Sequence, residues 1–90
     1  MNGYKNAETF HLSLWMHNNE FVKNKLLPSI LSTADGNKIE AGLKLSLIFL
    51  KGKNSYSAKI WGKEDYKIML EDVGNFNVIA WEELFTNCEG

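Results

Sequence analysis

No arginine occurs among the 90 residues, and there is one cysteine and one proline. Without a guanidinium the chain cannot clamp phosphate, carboxylate or guanine through paired hydrogen bonds, and it has no arginine finger. All ten cations are lysines, set against eleven acids for a formal charge of −1. Such a balance favours neither a basic nucleic-acid binder nor an acidic mimic of nucleic acid. The lone Cys88 excludes an intrachain disulfide, which points to the cytoplasm. Met1 to Glu8 lacks the apolar stretch of a secretory signal, and the apolar run Leu47 to Leu50 is far short of a membrane span.

What is present is a 44% hydrophobic chain, enough for one small domain over residues 1–90. From Thr9 to His17 the sequence alternates, with Phe10, Leu12, Leu14 and Met16 on one side. That period predicts a half-buried strand. Glu20 to Ser32 has helical spacing interrupted by Pro28, which predicts a kink or two shorter helices. Asp35-Gly36-Asn37 is a turn. Leu43, Leu45, Leu47 and Phe49 alternate again, Lys51 to Asn54 reads as a hairpin turn, and Tyr56 to Trp61 reads as the next strand. Lys63 to Val73 has one apolar helical face, with Gly74 placed to end the helix. Phe76 to Trp81 closes the series as a short strand, followed by a helical turn from Glu82 to Phe85.

The predicted order is strand, helix, strand, strand, helix, strand. In this length it implies an α+β fold: a four-stranded antiparallel sheet with both helices on one face, ferredoxin-like βαββαβ. Two helices leave the other sheet face open. The strand phases place Trp15, Trp61 and Trp81 there, with His11 and Lys59 on the rim. An uncovered aromatic face is expected to bind a partner protein or a second copy of the chain. Stacking of a nucleotide or RNA base on the tryptophans is the alternative, and a one-residue slip of register would instead bury them.

Little else carries chemistry. His11 and His17 share a strand face about 20 Å apart, too far for one metal ion. Glu64-Asp65, Glu71-Asp72 and Glu82-Glu83 are neighbours in sequence, so on helices their side chains diverge. No nucleophile turn or phosphate-binding loop is present. The expectation is a binding protein with no catalytic residues, no cofactor and no metal.

The opening Gly3-Tyr4-Lys5-Asn6-Ala7-Glu8-Thr9-Phe10, followed by Leu12, Leu14-Trp15 and Asn18, resembles the start of a group of uncharacterised small proteins of phage and other mobile-element genomes. Phe10 stands where that group usually has tryptophan. Val78-Ile79-Ala80-Trp81-Glu82-Glu83-Leu84 is similar to their closing segment, so about a third of the chain is covered. The resemblance implies a phage accessory gene and a helical first segment, with Asn6 as its cap. The alternation favours the strand, which is the reading carried forward. Together these point to an inhibitor of bacterial antiviral defence, such as an anti-CRISPR protein, that binds and occludes a host effector. A nucleotide- or RNA-binding domain is the alternative.

Overall fold

The first helix begins at Asn6. Its Oδ1 accepts from the Thr9 backbone N–H at 2.8 Å and from the Thr9 hydroxyl at 2.7 Å, satisfying a donor that a helix start otherwise leaves free. Helix α1 (Ala7–His17) follows. The computed structural model describes residues 3–51 and 58–86. In an α-helix the ring of Pro28 would collide with the Asn24 carbonyl. The chain avoids this by widening into a π-helical turn, Val22–Leu26, where the Leu27 N–H donates to the Val22 carbonyl. Helix α2 (Leu27–Thr33) then carries Pro28 in its first turn, where a missing N–H costs nothing.

Asp35 and Gly36 both take positive φ, 54° and 79°, and reverse the chain. The Asn37 side chain accepts from the Glu40 N–H at 3.1 Å and opens α3 (Lys38–Lys51). After the short α4 (Ala58–Trp61), Gly62 at φ 86° turns the backbone into α5 (Lys63–Val73), which ends at Gly74 as its spacing predicts. Two 3₁₀ turns, Phe76–Val78 and Trp81–Phe85, finish the described chain.

No strand occurs among the described residues, so the expected α+β sheet is replaced by a small helical fold. Thr9 to His17 is helical, as the Asn6 cap implies, and Leu43 to Phe49 lies within α3. Ala58 to Trp61 is helical, and Phe76 to Trp81 is a 3₁₀ turn with two extended residues after it. Gly52 to Ser57, including the expected hairpin turn and the start of the third expected strand, lies outside the described residues. The alternation misleads for one physical reason. Residues two apart on a helix differ by about 200°, so a run of apolar side chains at every second position forms two interleaved i, i+4 rows on opposite faces. In α1, Leu12 and Met16 point inward and are buried, while Phe10 and Leu14 point outward. In α3, Leu45 and Phe49 are buried and Leu43 and Leu47 are exposed.

The core gathers α1, α2, α3 and α5 around the C-terminal 3₁₀ turn, whose Leu84 and Phe85 are fully enclosed. Helix α3 lies close against that turn. A Cβ added at Gly42 would sit 2.7 Å from the Glu82 backbone nitrogen and 3.0 Å from the Trp81 carbonyl carbon. Glycine is what permits the approach.

Candidate functional site

With no sheet among the described residues, there is no open sheet face for the tryptophans to share. All three are partly buried against the core. Trp61 and Trp81 belong to a cluster around Phe49, whose ring centroid is 6.0 Å from Trp61, 5.7 Å from Trp81, 6.3 Å from Tyr66 and 5.4 Å from Phe76. Trp15 sits apart from this cluster, on α1, and its indole N–H donates to Asp72 Oδ2 of α5 at 2.9 Å. Lys59 is exposed on α4. His11 is half-buried on α1, beside the ring of Phe10. The five expected contact residues are therefore not brought together into one surface.

The aromatic cluster holds two polar groups without hydrogen-bond partners among the described residues, the Trp61 indole N–H and the Tyr66 hydroxyl. Burial pushes the Tyr66 phenol above its ordinary pKa, because a phenolate there would lose its hydration.

The opening and closing segments that carry the resemblance meet in space. The Lys5 backbone N–H donates to Glu83 Oε1 at 2.8 Å, and Asn6 Nδ2 donates to the Val78 carbonyl at 2.7 Å. The fully buried Thr9 hydroxyl accepts from the Ala80 N–H at 2.9 Å. One ring nitrogen of His17 reaches the Leu84 carbonyl at 3.0 Å, which requires that nitrogen to carry the proton. These bonds clasp α1 to the C-terminal segment, so Asn6 and Thr9 of the motif have a structural use in this chain.

Large apolar side chains are exposed on several of the described elements, Phe21, Ile68 and Val78 among them, and the outward rows of α1 and α3 are two such surfaces. On α1, apolar and polar residues are so mixed that the helix has almost no amphipathic contrast. Thr9 and Ser13 face the core while Leu14 faces solvent at 45% exposure. Beside Leu14 runs a line of half-buried rings, Tyr4 to Phe10 at 5.8 Å and Phe10 to His11 at 5.8 Å. On α3, Ile39, Leu43 and Leu47 are 69%, 63% and 55% exposed. A groove of about 130 Å³ lies along one edge of that row, between Ile39, Gly42 and Leu43 on one bank and Ile79, Trp81 and Glu82 on the other.

Among the described residues no three His, Cys, Asp or Glu side chains form a metal-binding group, and no helix is long and apolar enough to cross a membrane. The chain matches no protein-family model, no curated protein and no solved structure. The functional reading rests on its own side chains and on the resemblance of its two ends.

Proposed function

We propose that the chain is a non-enzymatic accessory protein of a phage or other mobile element, which docks on a bacterial antiviral effector in the host cytoplasm and occludes it. The outward face of α1 is the contact surface: Leu14 and Phe10 as apolar anchors, with Tyr4 and His11 beside them as amphipathic rings. The observation that carries this reading is the outward apolar row of α1, where Leu14 is left exposed beside the half-buried rings of Tyr4, Phe10 and His11. The inward row, Leu12 and Met16, already serves the core, so this second apolar row is surplus to it. Aromatic and aliphatic anchors on a rigid helix suit protein docking. Trp15 borders this face through its bond to Asp72. The stacking alternative has less support, because Trp61 and Trp81 spend their ring contacts on Phe49.

The test is capture from bacterial lysate with the tagged chain, with and without nuclease, beside the variants Leu14→Lys and Phe10→Ser. The expected result is one stoichiometric host protein that survives nuclease and is lost with Leu14→Lys, together with loss of protection when phage are plated on hosts carrying that defence. Retention of nucleic acid without protein would overturn this reading in favour of the nucleotide- or RNA-binding one.

A further inference from the structure

We propose that the outward row of α3 is the seat of a second copy of this chain, packed antiparallel about Leu43. The row is Ile39, Leu43 and Leu47, spaced i, i+4, i+8 along about 12 Å of helix. Three aliphatic side chains at 55–69% exposure present on the order of 350 Å² of apolar surface, the size of the largest patch on an ordinary monomer, which often serves a function.

The charges on the rim choose both the occupant and its direction. Glu40 and Lys44 lie on one edge of the row and pair weakly with each other, with Nζ 3.9 Å from Oε1. When two such helices run antiparallel with Leu43 opposite Leu43, this edge meets its own copy in reverse order. Each Glu40 then faces the second copy's Lys44, twice over by symmetry. A parallel pairing about a two-fold axis would carry the two charged edges to opposite sides of the seam, where Glu40 of one copy cannot meet Lys44 of the other. The apolar contacts close in the same register, since Ile39 falls opposite Leu47. The second copy's Leu47 arrives at the mouth of the groove between Ile39, Leu43, Ile79 and Trp81, which has room for one aliphatic side chain. The row is therefore complementary to itself in shape, polarity and charge.

Two such faces bury on the order of 700 Å² of apolar surface in total, below the standard size for a specific pair, so the dimer is weak and concentration-dependent. This proposal is independent of the effector-binding face on α1, and Leu14→Lys is expected to leave it intact.

Sedimentation of the full chain over a wide concentration range tests it. The expected result is a shift from 10.3 kDa to twice that mass as concentration rises, abolished by Leu43→Glu while the far-ultraviolet helical signal is unchanged. Glu40→Lys and Lys44→Glu are each expected to weaken the dimer about tenfold. Mixed in equal amounts, these two variants regain the affinity, because one carries two lysines on the rim and the other two glutamates. A single-chain mass at every concentration would overturn the proposal. So would a dimer that survives Leu43→Glu, which would place the contact elsewhere. If the two rim variants fail to rescue each other, the antiparallel register is wrong.

Discussion

Replacing Gly42 with alanine sets two effects of opposite sign against each other. Alanine favours a helix interior over glycine by about 1 kcal/mol, so on propensity alone α3 gains. The new methyl, however, would lie 2.7 Å from the Glu82 nitrogen, 3.0 Å from the Trp81 carbonyl carbon and 3.1 Å from the Glu82 Cα. All three are backbone atoms, with no rotamer that moves them aside. Overpacking of this kind costs about 1–3 kcal/mol, and here it also levers the 3₁₀ turn holding Leu84 and Phe85 away from α3. The net expectation is a loss of up to about 2 kcal/mol, which lowers the melting midpoint by roughly 4–8 °C for each kcal/mol in a domain of this size. Urea titrations followed by tryptophan fluorescence and by circular dichroism measure it, with Trp81 reporting directly on the displaced turn. Ser46→Ala on the same helix controls for propensity, since its hydroxyl bonds only the Leu43 carbonyl within α3. A Gly42→Ala protein more stable than the parent would refute the close approach and the placement of the turn with it.

Thr9→Val should cost about 1–3 kcal/mol in urea unfolding, because it leaves the buried Ala80 N–H without an acceptor, whereas Thr9→Ser keeps the bond and should lose much less. Tyr66→Phe removes a buried hydroxyl that has no partner and should stabilise by about 1 kcal/mol; a loss instead would reveal a partner for the hydroxyl. The same variant tests the raised phenol pKa. In the unfolded chain Tyr66 ionises from about its ordinary value of 10.0, while the folded chain holds the proton longer. Its contribution is therefore present below pH 10 and lost as pH rises towards the folded value, so the offset between the parent and Tyr66→Phe stability curves should hold steady at neutral pH and widen only on the alkaline side. Asp72→Asn weakens the charge-assisted bond from Trp15 at an exposed site and should cost no more than about 1 kcal/mol, read by the same titration.

Local punctuation was legible in the sequence. Pro28 announced the break between helical pieces, Gly74 the end of α5, and Asp35-Gly36-Asn37 the reversal before α3. Each acts through its own backbone and needs no distant partner. The sheet was misread because periodicity is informative only when a helix has one apolar face. Phe10, Leu12, Leu14 and Met16 fit a strand as well as they fit a helix that is apolar on two sides. The Asn6 side chain settles this locally, but its full weight comes from Val78, Thr9 and Ala80, which no window of sequence brings together. The tryptophans were drawn to a shared surface by an assumed pleat. Their places against Phe49 and Asp72 follow from how helices pack, which the spacing of three residues does not encode. The contact rows on α1 and α3 lay within the alternation itself, which hid them by resembling the signature of a strand.

The clasp between α1 and the C-terminal turn also bears on how the chain acquires its fold during synthesis. The partners of Lys5, Asn6 and Thr9 lie 71 to 78 residues downstream. Because synthesis runs from the N-terminal side, the Thr9 hydroxyl can already donate to Asn6 Oδ1 while its own donor, the Ala80 N–H, is still to come. Asn6 alone can hold the helix start in the interval. Leu84 and Phe85, which fill the centre, arrive later still. The clasp between α1 and the C-terminal turn thus waits for Val78 to Glu83, whereas the packing of α1 against α5 needs only residues up to Val73. The 71- to 78-residue separations make closure of this clasp the long-range step in an otherwise locally connected helical fold.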